Sequence, residues 1–226
     1  MQPEETSTTR RPAPVQYAAE PVAALPGGTP GVGDPGSWAI LAFSATSLLL
    51  GLFNSTAIDA NGSSVIIPVA FVLGGVVQLI AAVLEVVRGN VFGAVVFGSF
   101  GPFWVIYALI ENSYAGKIAL AGAATKDANA VPSALLAFLI MYAALVFVFM
   151  IAALRTDVVI LTIVALVEVV IVLLMVGIYG AHPEATKISG IVTIAFAALG
   201  LYRGAADLIA FTFKRPVLPL GHLHVG

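Results

Sequence analysis

The sequence lacks cysteine altogether, and charged residues make up only 10% of its 226 positions. Without cysteine the chain can form no disulfide, no thiolate metal site and no cysteine nucleophile. The formal net charge of −2 gives no reason to expect a nucleic acid as a partner. Soluble proteins are about 45–50% apolar, whereas this chain is 60% hydrophobic. Lipid must therefore be the solvent for much of the protein surface.

The sequence also lacks the short motifs of common catalytic sites. It contains no GxSxG, no Walker A sequence and no HExxH. Its three histidines are His182, His222 and His224, and the H-x-H near the C-terminus has no further candidate ligands nearby. We interpret that H-x-H as part of a solvated tail. The sequence thus predicts a protein that is not an enzyme and that holds no cofactor and no metal.

The first 33 residues differ in composition from the rest of the chain. They are rich in proline and glycine, carry charges of both signs and show no apolar periodicity. This composition predicts a disordered N-terminal tail over residues 1–33. We expect a transmembrane domain over residues 34–213 and a short C-terminal tail over residues 214–226.

Long apolar runs fill the remainder of the chain, and a spanning helix needs about 20 mainly apolar residues. We predict an all-α membrane protein with six transmembrane helices: Trp38–Asn54, Val65–Val87, Val91–Ile110, Pro132–Leu154, Val158–Tyr179 and Ile188–Phe213. Pro102 is expected to interrupt the third of these helices. The loop from Glu111 to Val131 is the only connection long enough to carry a small element outside the bilayer.

The distribution of positive charge predicts the orientation in the membrane. Six lysines and arginines lie in the tails and in the turns on their side, and three lie in the connections on the other side. Because basic residues concentrate on the cytoplasmic side, both termini are predicted to be cytoplasmic. An even number of spans agrees with this placement.

Few ionisable groups fall within the predicted spans, where their burial is expensive. Glu168 lies in the middle of the fifth helix, so it is expected either to be protonated and bonded to a neighbouring helix or to serve proton coupling. The i,i+3 pair of Glu85 and Arg88 is expected in a solvated turn. Arg203 and Asp207, four residues apart, are expected to form a structural ion pair.

Neutral polar and aromatic side chains within the spans are further candidates. Hydroxyl and amide groups can bind a carboxylate without a permanent buried charge, although back-bonding to the preceding helical turn explains each one equally well. These residues are Ser44, Thr46, Ser47, Gln78, Asn90 and Ser99. Aromatic side chains at membrane depth usually serve packing, but a few can form a size-selecting constriction.

Several motifs, in order along the chain, resemble those of a known family. They are Asp34-Pro35-Gly36-Ser37-Trp38-Ala39-Ile40-Leu41-Ala42-Phe43-Ser44 at the start of the first helix, Phe71-Val72-Leu73-Gly74-Gly75-Val76-Val77-Gln78, Ser99-Phe100-Gly101-Pro102-Phe103-Trp104, Leu154-Arg155-Thr156-Asp157 and Val217-Leu218-Pro219-Leu220-Gly221. Together they resemble the acetate uptake transporter family, which includes the YaaH-type succinate–acetate permeases. In the first motif, Asp34 stands where the family usually has asparagine, and an added negative charge there does not help to attract anions.

The resemblance implies a six-helix protomer that assembles as a homohexamer and passes acetate, often succinate, together with protons. It implies an apolar constriction formed by Phe43, Phe100 and Val167, the last being smaller than the family's usual leucine. It also places the family's hydroxyl pair at Thr46 and Ser47. The resemblance does not extend to the N-terminal tail.

These observations predict a multi-pass protein of the cell membrane that acts as a permease or channel for small carboxylates. The candidate path residues are Gln78, Asn90, Ser99 and Glu168, besides the constriction and the hydroxyl pair. Two alternatives stay open at this point. One is transport of ammonia or another small solute, and the other is a membrane sensor or scaffold that transports nothing.

Overall fold

The computed structural model describes residues 33–221, and it is helical with short connections. The predicted N-terminal tail, apart from Gly33, lies outside the described residues, as do His222 and His224. The helices are α1 (Gly36–Asn54), α2 (Ile66–Val69), α3 (Val77–Arg88), α4 (Val91–Leu109), α5 (Ala115–Thr125), α6 (Ala130–Ala153), α7 (Val158–Ile178) and α8 (Pro183–Phe213).

Six helical stretches of the described chain are long and apolar enough to cross a membrane. They are Gly36–Asn54, Ala60–Arg88, Val91–Thr125, Ala130–Ala153, Val158–Ile178 and Pro183–Phe213. The prediction of six spans is therefore confirmed, and no strand occurs between residues 33 and 221. The outer surfaces of these helices carry many exposed aliphatic side chains, which suits contact with lipid tails.

The second span is not one regular α-helix. It begins with a 3₁₀ segment at Ala60–Val65, continues through α2, widens into a π-helical segment at Ala70–Val76 and ends as α3. The π-helical segment contains Gly74 and Gly75, and the indole of Trp104 lies directly against Gly74. Irregular backbone at membrane depth is stable where neighbouring protein covers it, and α4 provides that cover here.

The third span corrects two predictions. Pro102 does not interrupt α4, which runs on to Leu109. The helix also continues beyond Ile110 through a π-helical segment at Ile110–Tyr114 into α5, so the expected loop is helical as far as Thr125. The alanine-rich sequence of α5 has high helix propensity, which explains why the helix continues. The small residues around Pro102 let α3 pack close to α4, since a Cβ atom on Gly101 would lie 3.1 Å from the backbone nitrogen of Leu79.

The six spans alternate in direction, so α1, α4 and α7 begin at the same end of the bundle at which α3, α6 and α8 end. We call this end the terminal end. The main packing partners are α1 with α8, α7 with α8, α3 with α4 and α6 with α7. Gly200 and Gly204 of α8 face Ser44, Ile40 and Leu41 of α1. These glycines therefore serve close packing within one protomer.

The C-terminal motif folds back onto the terminal end. The backbone N–H of Val158 donates to the carbonyl of Gly221 at 2.9 Å, and the Tyr202 hydroxyl donates to the carbonyl of Pro219 at 2.7 Å. These bonds attach the segment after α8 to the first turn of α7 and to α8 itself. Which side of the membrane this end faces stays a prediction.

Candidate functional site

A cavity of about 300 Å³ lies between the helices at the terminal end of the bundle. Its walls come from α1, α3, α4, α7 and α8. It opens to the outside at this end, where the lining side chains of Asp34 and Asp207 are 65% and 40% exposed. Pockets for small molecules in proteins have volumes of about 300–1,000 Å³, so this cavity suits a small solute.

One ion cluster at the mouth joins the start of α1 to the end of α3. Arg88 contacts Asp34 through both terminal nitrogens, at 2.8 Å to Oδ1 and 3.0 Å to Oδ2. Arg88 Nη1 also lies 3.1 Å from Glu85 Oε2. Asp34 in turn accepts a hydrogen bond from the backbone N–H of Gly36 at 2.8 Å. Asp34 is thus part of an ion pair across the mouth.

The expectation of a solvated turn around Glu85 was wrong, although its pairing with Arg88 was right. The side chain of Glu85 is only 1% exposed. It fits beside two glycines, because a Cβ atom on Gly36 would lie 3.2 Å from Glu85 Oε1 and one on Gly93 would lie 3.1 Å from Glu85 Cδ. The absence of side chains at these two positions makes room for a carboxyl group between α1 and α4.

A second ion cluster lines the opposite part of the mouth. Arg203 Nε donates to Asp157 Oδ2 at 3.0 Å, and Arg203 Nη1 pairs with Asp207. Asp157 also caps α7, because its Oδ1 accepts from the backbone N–H of Ile160 at 2.9 Å. The predicted pair of Arg203 and Asp207 is therefore present and includes Asp157 as a third member. An aspartate directly before a long apolar run is the sequence signal that marks this cap.

The deep end of the cavity is formed by aromatic and aliphatic side chains. The rings of Phe43 and Phe100 lie with their centroids 5.0 Å apart, and Val167 lines the same cavity. Counting from the first residue of each helix at 1.5 Å per residue, Phe43, Phe100 and Val167 all lie roughly 10–14 Å from the terminal end. The structure thus brings the three predicted constriction residues together at one depth. Their role as a constriction stays a prediction.

Gln78 lies at the same deep end and is fully buried. Its amide nitrogen donates to the carbonyl of Gly74 at 2.6 Å, whereas its Oε1 has no hydrogen-bond partner within residues 33–221. Exchanging the amide oxygen and nitrogen would place two oxygens against each other, so the bond to Gly74 fixes the orientation of the amide. A buried hydrogen-bond acceptor without a partner in the described chain therefore lies beside the deep end of the cavity.

Of the remaining predicted path residues, only Asn90 is among the described residues that line the cavity. Asn90 lines the cavity and caps α4, accepting from the backbone N–H of Gly93 at 3.2 Å. Thr46 donates to the carbonyl of Ala42 at 2.9 Å and, like the buried Ser47, does not line the cavity. Both follow Phe43 by about one helical turn, so they lie deeper than the aromatic pair.

Ser99 and Glu168 also lie outside the cavity lining. The backbone carbonyl of Ser99 accepts from the Tyr142 hydroxyl at 3.4 Å. Glu168 is half-buried, and its Oε2 has no hydrogen-bond partner in the described part of the chain. Trp104 Nε1 is likewise buried without a partner, and Trp104 contacts Phe43 from outside the cavity.

Known proteins resemble this chain over most of its length. It is 33% identical over 189 residues to an uncharacterised protein of Methanothermobacter thermautotrophicus, covering 82% of this chain and 90% of that protein. It is 26% identical over 195 residues to the succinate-acetate/proton symporter SatP of Escherichia coli K12, covering 84% of this chain and 96% of SatP.

The fold is shared with a solved structure described as the bacterial acetate channel SatP. The TM-score is 0.71 at 23% identity, with 84% of this chain and 99% of that chain covered. The model of the GPR1/FUN34/yaaH family matches residues 18–222. This match covers nearly the whole sequence, and the chain therefore belongs to the GPR1/FUN34/yaaH family.

Proposed function

We propose that this multi-pass membrane protein is a permease or channel for small carboxylates, with acetate as the principal substrate. The cavity that leads from the charged mouth to Phe43 and Phe100 carries this proposal. Its support from relatives is the similarity to SatP, a succinate-acetate/proton symporter, over almost the full length of both chains. The family is one of transport proteins, which agrees with the prediction that the chain is not an enzyme.

The chemistry of the cavity suits passage better than storage. Its middle and deep walls are apolar, formed by side chains such as Ile40, Ile163 and Val164, and the charged groups lie at the mouth. A strongly bound carboxylate would leave slowly, and conduction requires binding weak enough for release. A cavity without a free cation at its deep end meets that requirement.

We assign the constriction to Phe43, Phe100 and Val167. The two rings are supported from behind, because Phe196 stacks on Phe43 at 5.8 Å and Phe149 meets Phe100 edge-on at 6.1 Å between centroids. Ring contacts of this kind are worth about 0.5–1.5 kcal/mol each. A substrate therefore has to displace a packed aromatic pair, and this requirement limits its size.

We further propose that a proton accompanies the substrate. The free acceptor Gln78 Oε1 can receive a hydrogen bond from a protonated carboxyl group but not from a carboxylate. Beyond the aromatic pair, Thr46 and Ser47 offer hydroxyl groups, and Glu168 offers a carboxyl group that can hold a proton. These residues are the next polar groups along the proposed path.

We also propose assembly into a homohexamer, as the resemblance implies. The exposed aliphatic surface of the helices supports contact with lipid or with other copies. Native mass spectrometry of the full chain released from detergent micelles tests the number of subunits. A monomer at every detergent concentration would contradict the assembly without affecting the transport proposal.

Uptake of labelled acetate into liposomes that contain the purified full chain tests the transport proposal. We expect uptake well above that of protein-free vesicles, and faster uptake when the outside is acidic. Ammonia is the second candidate, because its N–H groups can also donate to Gln78 Oε1. Flux of ammonia without flux of any small carboxylate would replace the leading proposal, and absence of both would favour the sensor or scaffold.

A further inference from the structure

We propose that the cavity mouth discriminates by substrate charge, so that this protein passes monocarboxylates and excludes dicarboxylate dianions such as succinate at neutral pH. The inference rests on the proposed function and names the substrate class of the same path. Two independent features of the cavity support it. They are the charges at its mouth and the free hydrogen-bond acceptor at its deep end.

The mouth carries more negative than positive charge. Four carboxyl side chains line the cavity, those of Asp34, Glu85, Asp157 and Asp207, and Arg203 is the one basic side chain among the described lining residues. Arg88 stands behind Asp34 and Glu85 and contacts both. Four carboxylates against two guanidinium groups leave a formal surplus of two negative charges, and the surplus is one if the buried Glu85 is counted as neutral.

Both arginines already form ion pairs with carboxylates. Arg88 contacts Asp34 at 2.8 Å and Glu85 at 3.1 Å, and Arg203 contacts Asp157 at 3.0 Å and pairs with Asp207. An arriving anion would have to displace one of these partners. The other described basic residues near the terminal end are Arg155, Lys214 and Arg215, and none of them lines the cavity. They are exposed to solvent, where salt screens charges beyond about 8 Å.

The deep end adds a second restriction. Gln78 Oε1 has no hydrogen-bond partner in the described chain, and one of the two amide N–H groups of Gln78 is used by the carbonyl of Gly74. A carboxyl group that carries its proton can donate to this oxygen, whereas an ionised carboxylate has no proton to donate. Acetate enters this position by binding one proton. Succinate needs two protons to become neutral, so it is excluded more strongly.

The same negative field acts twice as strongly on a dianion as on a monoanion. One charge about 8 Å away, at an effective dielectric constant of about 40–80, changes the local concentration of a monoanion about two- to sixfold. The change for a dianion is the square of that factor. Removing one negative charge from the mouth should therefore raise the succinate-to-acetate flux ratio about two- to sixfold.

Asp34→Asn is the variant that tests this reasoning. Asparagine keeps the shape of aspartate and can still accept from the backbone N–H of Gly36, so it removes the charge and preserves the turn. The matched control is Asp59→Asn at the opposite end of the bundle. Asp59 makes the same kind of bond, accepting from the backbone N–H of Asn61 at 2.8 Å, and it does not line the cavity.

Uptake of labelled acetate and labelled succinate is measured side by side in liposomes at neutral pH. We expect the unmodified protein to prefer acetate, Asp34→Asn to raise the succinate-to-acetate ratio about two- to sixfold, and Asp59→Asn to leave the ratio unchanged. Lower ionic strength should strengthen the preference of the unmodified protein for acetate, because screening weakens. This last measurement needs no variant, so it decides the matter even if Asp34→Asn folds poorly.

Two results would overturn the inference while leaving the proposed function intact. One is succinate uptake equal to or faster than acetate uptake by the unmodified protein. The other is a flux ratio that responds neither to Asp34→Asn nor to ionic strength. Absence of acetate uptake by the unmodified protein is a different outcome, since it refutes the proposed function and the inference with it.

Discussion

Replacing Phe100 by alanine should open the path and relax its size limit. The side chain is 6% exposed and its ring centroid lies 5.0 Å from that of Phe43. If passage requires this ring contact to break, its removal saves about 0.5–1.5 kcal/mol of opening free energy, which corresponds to an increase in acetate flux of about two- to tenfold. Larger monocarboxylates such as butyrate should gain more than acetate does.

The same substitution should destabilise the protein. Truncating a buried phenylalanine to alanine costs about 3–5 kcal/mol, the sum of the lost transfer free energy and a cavity cost of about 24 cal/mol per Å³, so we expect a loss of about 3 kcal/mol. Because Phe100 lines an existing cavity of about 300 Å³, water can fill part of the new space and reduce this loss. Thermal unfolding in detergent measures the stability, and a folded fraction comparable to that of the unmodified protein is needed before fluxes are compared.

Phe149→Ala provides the matched control. Phe149 is 4% exposed and touches Phe100 from behind, with centroids 6.1 Å apart, but it does not line the cavity. Its truncation should cost similar stability and remove one supporting contact from Phe100, but it leaves both rings in the wall of the path, so it should raise flux less than Phe100→Ala and keep the size limit. Uptake of labelled acetate and butyrate by liposomes compares the three proteins. Unchanged flux in well-folded Phe100→Ala, or an equal rise in both variants, would refute the assignment of Phe100 to the constriction.

Three further changes test other parts of the structure. Gln78→Leu should lower acetate uptake several-fold, because it replaces the free acceptor by an apolar group of similar size, and unchanged uptake in liposomes would contradict the role of Gln78 Oε1. Asp157→Ala should lower stability by at least about 0.5–2 kcal/mol from loss of the α7 cap, with a further loss because Arg203 loses a partner, and thermal unfolding measures the sum. Pro102→Ala should keep the fold and raise thermal stability slightly, since α4 is already continuous through Pro102; a strong destabilisation would show that the helix needs its proline.

Hydropathy alone predicts the six spans, because each crosses a lipid thickness that only a long apolar helix can cross. The errors concern positions at which contacts with a neighbouring helix determine the local structure or the burial of a side chain. Pro102 looks like a helix break in isolation, but close packing of α3 beside Gly101 covers the backbone. Glu85 looks solvated because it neighbours Arg88, and its burial depends on the two distant glycines that flank it, Gly36 and Gly93.

The candidate site was only partly predictable for a related reason. Phe43 and Phe100 lie in the motifs by which the sequence resembles the family, and the structure brings their rings into contact. Thr46 and Ser47 share the helical face of Phe43, but the sequence gives no sign that the cavity stops one turn earlier. The involvement of Asp157 depends on a tertiary contact with Arg203, 46 positions away in sequence, which no local pattern reveals.

The π-helical segment at Ala70–Val76 changes how the second span is rotated about its own axis. A π-helix turns less per residue than an α-helix, so over these residues α3 is rotated by roughly a quarter turn relative to a continuous α-helix. That rotation decides which side of α3 presents Gln78 to the interior. Deleting one residue here would leave the length of the span nearly unchanged but would rotate α3 about its axis. An aliphatic neighbour of Gln78 would then take the place of the amide, and the chemistry of the path would change.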